Sequence, residues 1–275
     1  MNIAITGHKG LIGTYLKERL EKKGNETVLA VDLRENRNIL SLNDLRLDEK
    51  IDLLVHAAAQ CKIRESILNP RLSNDNNAEG TFQVLEFCRK KNIPKIIFFS
   101  SSRVLYKEKN PYTASKIYGE ELCKAYCRCY GIKYAIIRPS TVYGPFPDET
   151  KRLMHVFITR ALANKDLEIY GNPKTKTLDF TYIDDFIDGT MIAIKYDNEE
   201  FNIGNKESNV FELAKFIISK TNSKSKIKMY KEETAQPQQV NVDISKIKKL
   251  GYSPKVSLEE GVLRTIDWYK SNWKF

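Results

Sequence analysis

Two stretches of the chain combine residue types that can do chemistry together. The first, Thr6-Gly7-His8-Lys9-Gly10-Leu11-Ile12-Gly13, directly follows the apolar run Asn2-Ile3-Ala4-Ile5. Glycines between a strand and a helix permit a tight turn and a close approach of backbone to a pyrophosphate. The helix N-terminus adds free N–H groups and the positive end of its dipole. The strand before, the helical pattern after and an acid at the end of the next strand make this glycine pattern specific. That acid is Asp32, nineteen residues past Gly13. A carboxylate there accepts hydrogen bonds from ribose hydroxyls and repels a 2′-phosphate, so NAD is the expected cofactor in preference to NADP.

The second stretch is Tyr112-Thr113-Ala114-Ser115-Lys116, preceded by Ser100-Ser101-Ser102. Tyr112 and Lys116 are spaced i, i+4 and share a helix face. Asn110 can cap that helix, with Pro111 at its first position. A tyrosine acting as a base must drop its pKa from ~10 toward ~7, about 4 kcal/mol of differential stabilisation. Lys116, the helix dipole and a positive nicotinamide are its expected sources. Ser102 follows an apolar run at the end of a strand, where α/β sheets bind ligands, and its hydroxyl is expected to hold the reacting oxygen beside Tyr112. The expected elementary step is hydride and proton removal from a hydroxyl-bearing carbon.

Alternating elements must position these groups. Strand-like runs at 2–5, 27–31, 51–55, 95–99 and 134–137 alternate with helical patterns at 11–23, 77–91 and 112–130. That rhythm predicts a Rossmann-type, doubly wound parallel α/β sheet. Beyond Pro145 the segments shorten, and helical patterns recur at 151–163, 184–194, 210–220 and 258–270. The expected organisation is an NAD-binding domain over 1–144 and a smaller C-terminal substrate-binding lobe over 145–275, with about 178–198 returning to the first.

Bulk properties exclude several classes. No stretch approaches the ~20 apolar residues of a membrane span, and no charged region leads into a long apolar segment at the start, so a cytoplasmic location without a membrane partner is expected. The five cysteines, Cys61, Cys88, Cys123, Cys127 and Cys129, fit no zinc spacing, and the three histidines are scattered, so no metal is expected. The net charge of +10 comes from lysines spread among acids and amides. No arginine-rich tail marks a nucleic-acid partner. A mildly positive field suits a phosphorylated small molecule.

These residues closely resemble the extended short-chain dehydrogenase/reductase superfamily, in its NAD-dependent nucleotide-sugar epimerase/dehydratase branch. The resemblance runs over nearly the whole chain. It includes His56-Ala57-Ala58-Ala59, Asn77 before Gly80-Thr81, Arg138-Pro139-Ser140-Thr141-Val142-Tyr143-Gly144-Pro145, Leu178 to Asp185, Phe201-Asn202-Ile203-Gly204 and Asp243-Ile244-Ser245-Lys246. It implies Tyr112 as base, Lys116 as the holder of the nicotinamide ribose and Ser102 as the residue orienting substrate. It further implies cofactor contacts from Gly7, Gly10, Leu11, Ile12, Gly13, Asp32, Ala57, Ala58, Ala59, Asn77, Ser100, Tyr112, Lys116 and Pro139. Substrate contacts would come from Ser102, Arg103, Thr141, Arg152, Leu153 and Phe180. A homodimer through helices near 77–91 and 112–130 is implied as well.

Departures from the family narrow the chemistry. Arg103 and Val104 stand where sugar 4,6-dehydratases need an Asp-Glu pair, and Val104 where fucose-synthase-like enzymes carry a cysteine acid. What remains is hydride shuttling, as in a UDP-glucose 4-epimerase-like enzyme acting on a nucleotide sugar. A dehydrogenase or reductase acting on a different hydroxyl or keto substrate, and a non-catalytic NAD-binding protein, stay open as alternatives. Thr141 replaces an asparagine and Leu178 an arginine that touch the sugar diphosphate, and the segment 232–239 lacks a second arginine; Arg152, Lys174 or Lys176 are the candidates to compensate. Only ten positions separate Ser102 from Tyr112, so the loop over the sugar is short, and the site is expected to be more open or completed by a partner chain.

Overall fold

The computed structural model describes residues 1–273. The strands of the first half are β1 (Asn2–Thr6), β2 (Glu26–Val31), β3 (Leu53–His56), β4 (Lys95–Phe99) and β5 (Lys133–Pro139). Those of the second half are β6 (Thr141–Tyr143), β7 (Leu167–Tyr170), β8 (Thr177–Tyr182), β9 (Glu199–Ile203), β10 (Lys206–Asn209) and β11 (Ile227–Tyr230). Six of them form one parallel sheet in the order β2-β1-β3-β4-β5-β9.

Apolar residues of both parities along these strands demand a sheet covered on both faces, and the packing obeys. Ile3, Ile5, Val55, Ile97 and Ile137 pack into one core with Leu16, Leu20, Phe186 and Ile187. Their neighbours Ala4, Leu54, Ile96, Phe98 and Ile136 pack into the other, with Val84, Leu85, Cys88, Cys123 and Tyr126. The helices Leu11–Lys22 and Ile183–Ala193 therefore cover one face, and Gly80–Lys90 and Pro111–Tyr130 the other. Leu85, on one of the two helices through which a dimer is expected, is buried inside this core.

The winding reverses at β1, which has β2 on one side and β3 on the other. A reversal of this kind opens a crevice at the carboxyl ends of the two strands that flank it. The glycine turn after β1 and the Ala57–Cys61 segment after β3 both emerge there. The structure and the expected elements differ in two places. The helix expected from 77 begins at Gly80, behind a wide π-turn over Asn74–Glu79. Asn77 lies in that turn with its side chain bonded to Gln60, outside its own helix. In the second half, six strands of three to six residues carry no periodicity long enough to read. Of these, β6, β8 and β10 form a three-stranded sheet and β7 pairs with β11, whereas helix Ile183–Ala193 and β9 pack on or within the main sheet. Among the described residues no helix is long and apolar enough to cross a membrane.

Candidate active site

The glycine turn is built so that no side chain fits. Gly7 has φ +76°, and a Cβ there would lie 2.5 Å from the Ala58 backbone nitrogen. A Cβ on Gly13 would lie 2.1 Å from the Gly7 carbonyl oxygen. Gly10 sits at the N-cap of helix Leu11–Lys22 with no side chain capping it, so the first-turn N–H groups of that helix are free for a ligand. At the end of β2, Asp32 is buried, and its carboxylate accepts the backbone N–H of Lys9 (3.0 Å) and of Arg34 (3.0 Å). Arg34 is committed elsewhere: it donates to the Lys9 carbonyl and pairs with Glu149 (3.0 Å). A cavity of about 420 Å³ runs over Gly7, Gly10, Leu11, Ile12, Gly13, Asp32 and Ala57 to Ala59. The residues present fit an adenine dinucleotide: a cradle that a Cβ would fill, a helix N-terminus and one fixed carboxylate at the ribose end.

Helix Pro111–Tyr130 carries the second group. Its start is set by a reciprocal capping box, in which the Asn110 side chain accepts the Thr113 N–H (3.0 Å) and the Thr113 hydroxyl accepts the Asn110 N–H (3.3 Å). Pro111 at the first position fixes φ. This places Tyr112 in the first turn and Lys116 one turn later, both buried. The Lys116 ammonium donates to the Phe99 carbonyl (2.8 Å) at the end of β4 and lies 5.2 Å from the Phe98 ring. Burial lowers it to about 8. Burial, reinforced by the Cys61 thiol, pushes the Tyr112 phenol up to about 12, while Ser101, Arg103 and Arg152 pull it down. The protein alone thus moves the phenol away from the value a base needs, and a further positive charge has to supply the difference.

Beneath this pair lies a charged network. Ser100 donates to Glu120 (2.5 Å), and Glu120 receives Arg138 bidentately, with one bond at 2.7 Å. Arg138 reaches on to Glu200 (2.5 Å). Paired carboxylates and a forked guanidinium lock the end of β4 to the helix that bears Tyr112 and Lys116. Ser100, expected on the cofactor, therefore has its hydroxyl engaged from below while still edging the cleft.

A second cavity of about 520 Å³ adjoins the first, and Ile12, Ala57, Ala59, Cys61, Thr150 and Arg152 line both. Tyr112, Lys116, Ser100, Ser101, Arg103, Pro139, Thr141, Leu153 and Leu178 face it. Three expected placements change. Ser101, not Ser102, lines the cavity together with Tyr112. Ser101 stays extended (φ −158°, ψ 144°) and caps the tight turn Ser102–Leu105, accepting the Arg103 N–H, so its hydroxyl rather than that of Ser102 is carried to the rim. Asn77 lines neither cavity: it is buried behind the first, where it accepts the Gln60 N–H (2.8 Å) and donates to the Gln60 carbonyl (2.9 Å) and Ser115 (3.0 Å). Phe180 also stays out. It lies two residues past Leu178, ~7 Å further along β8, where its ring meets Tyr143 edge-on at 6.3 Å inside the core.

Among the three candidate cations, Arg152 and Lys176 enter the cavity and Lys174 does not. Arg152 is paired with Asp148 (2.8 Å). The short Ser102–Tyr112 connection leans on the chain's own later segment: Tyr106 donates to the Asn241 carbonyl (2.5 Å) and Asn110 to that of Ala235 (3.0 Å). Glu233 and Gln236 of that segment reach the cavity. Cys61, Gln60, Arg37, Thr150 and Glu233 also line the cleft without any spacing signal that would have singled them out. For Ser101 the signal existed in the serine run, but nothing in it chose between neighbours.

The model of the NAD dependent epimerase/dehydratase family matches residues 3–204. A putative UDP-glucose 4-epimerase of Methanocaldococcus jannaschii is 33% identical, with 98% of this chain and 99% of that protein covered. The structure of a UDP-glucose 4-epimerase of Thermotoga maritima with UDP-glucose superposes with a TM-score of 0.90 at 25% identity, covering 100% of both chains. That of a Bacillus cereus UDP-glucuronic acid 4-epimerase, in complex with UDP-glucuronic acid and NAD, gives 0.87 at 29% identity, covering 99% of this chain and 100% of the other.

Proposed function

We propose that this chain, which belongs to the NAD-dependent epimerase/dehydratase family, interconverts nucleotide sugars that differ at C4, with NAD as its bound cofactor. The observation that carries the reading is the meeting of Tyr112, Lys116 and Ser101 where a dinucleotide cradle opens into a second cavity. Relatives along the full length of the chain include a putative UDP-glucose 4-epimerase and a UDP-glucuronic acid 4-epimerase whose structure is known with UDP-glucuronic acid and NAD. NAD held in the cradle would supply a reversible hydride acceptor for the carbinol carbon, so the reaction would show no net redox change.

The chain's own part is to hold and move the proton. Tyr112 takes it from the sugar hydroxyl and gives it back. Ser101, which lines the cavity with the phenol, fixes the hydroxyl's orientation and serves the oxygen of either epimer. Lys116 is anchored on the Phe99 carbonyl at the meeting of β4 and the cofactor cleft, from which it holds a ribose and favours the phenolate. Gly7, Gly10 and Gly13 admit the pyrophosphate, Asp32 takes the ribose hydroxyls, and Asn77 supports the wall of the cradle from behind. Arg103 lines the site where a dehydratase would place an acid for water elimination, which favours simple hydride return. A homodimer and a cytoplasmic location extend this reading; the partly exposed Tyr118 and Leu122 on helix Pro111–Tyr130 support the first, and five free cysteines the second.

Incubation with UDP-glucose, UDP-galactose and the corresponding uronates, followed by separation of the products, tests the proposal. Interconversion without net NADH is expected. Leu178 and Thr141 at the diphosphate end favour a second reading, a dehydrogenase consuming NAD as co-substrate. Stoichiometric NADH formation would establish that reading, and absence of both interconversion and sugar binding would defeat the first.

A further inference from the structure

Arg103 neither gives nor takes the C4 proton, yet it occupies the wall of the reacting cavity. Its Nη1 is shut off from solvent and has no hydrogen-bond partner. A buried guanidinium donor left unmade is costly, and such a group calls for a partner the chain itself does not supply, whether water, ion or ligand. Glu233 faces it across the cavity without forming an ion pair. Nearby Lys176 donates only to the Pro237 carbonyl (3.2 Å) and is held below its ordinary value by burial and by Arg103 itself. Arg103 and Lys176 thus share the wall, and among the described residues neither forms an ion pair with a carboxylate. Arg64, Lys151 and Arg152 add to the same sign, against Glu65 and Glu233.

Position decides which anion this wall receives. Arg103 follows the serine run by one residue and lines the same cavity as Tyr112, Ser101 and Lys116, so the guanidinium belongs to the reacting end of that cavity. The ring carbons next to C4 carry a hydroxyl on one side and the C5 substituent on the other. Only the C5 substituent can be ionised: it is a carboxylate in a uronic acid and a hydroxymethyl in a neutral hexose. The diphosphate leaves from C1, across the ring. We infer that Arg103 is a specificity residue which pairs with a carboxylate on C5, and that the substrate is a nucleotide uronic acid rather than a neutral nucleotide sugar. The inference rests on the C4-epimerase reading for its orientation of the ring. A forked guanidinium suits a carboxylate bidentately, which a lysine cannot reproduce.

The test compares NAD-loaded wild type, Arg103→Lys and Arg103→Leu. Calorimetric binding and kcat/KM are measured for UDP-glucuronate and UDP-glucose. Wild type is expected to prefer the uronate by about 100-fold, Arg103→Leu to bring the ratio near unity, and Arg103→Lys to fall between. A partial folding defect acts on both sugars and cancels in the ratio. An unchanged ratio in Arg103→Leu overturns the inference, as does a wild-type preference for UDP-glucose. An equal weakening of both sugars also overturns it, by assigning the guanidinium to the diphosphate. Discrimination in binding without turnover leaves the carboxylate assignment standing and defeats the epimerase reading instead.

Discussion

Replacing Lys116 by methionine should destroy activity and change stability with a sign that depends on pH. Lys116 is 4% exposed, has no carboxylate partner, and is lowered by burial from 10.5 to about 8. Between those values the unfolded chain carries the proton and the folded chain does not, so stability rises with pH across that window. The folded state bears the full penalty below about pH 8, and loses it above about pH 10.5. The shift corresponds to ~3 kcal/mol. Methionine removes the penalty but leaves the Phe99 carbonyl without its donor, at a cost of ~1–2 kcal/mol. The variant should therefore be more stable than wild type by ~1–2 kcal/mol at pH 7 and less stable by a similar amount near pH 10.5, with the two curves crossing near pH 9. Tyr112, pushed up to about 12, stays protonated in the folded chain of both proteins across this range and so drops out of the difference. Urea unfolding of nucleotide-free protein at pH 7, 8, 9 and 10, with the slopes compared for constancy, gives the answer. A constant difference across this range, or a variant less stable at pH 7, would show that Lys116 is not a desolvated, unpaired cation.

Three further outcomes follow from the same geometry. Ser101→Ala should lower kcat ~10–100-fold, and Ser102→Ala distinctly less, in a coupled assay of 4-epimerisation; the reverse order would return the substrate hydroxyl to Ser102. His56 is buried between Thr6 (2.8 Å) and Thr81 (3.2 Å), and burial, aided by Lys116, holds its imidazole down to about 3. The folded chain refuses a proton that the unfolded chain accepts below ~6.5, so stability is lost as pH falls from ~6.5 toward 3, by up to ~4–5 kcal/mol, and His56→Gln should flatten that part of the urea-midpoint profile. Gly13→Ala, whose Cβ would meet the Gly7 carbonyl oxygen at 2.1 Å, should abolish NAD binding by calorimetry and destabilise the fold by about 3 kcal/mol or more.

The amino-acid sequence alone determined the elements whose signals are local. Gly7, Gly10 and Gly13 between an apolar run and an amphipathic one declare a phosphate-binding turn because few other residues survive that geometry. Asn110-Pro111 and the Tyr112–Lys116 spacing declare a helix start with its reactive face, because capping and the helical repeat act within one or two turns. The short strands β6 to β11 carried no such signal, since three to six residues hold too few repeats to show a period. Only the tertiary structure decided which member of a serine run lines the cavity with the phenol, because one residue's change of phase in a tight turn redirects a side chain. It also decided that Asn77 supports the cradle from behind and that Phe180 belongs to the core. The pairing of Arg103 with the reacting end of the cavity, and the raised phenol of Tyr112, depend on burial and on charges from distant parts of the chain. Desolvation and long-range charge are properties of where residues end up, and no spacing in the sequence records them.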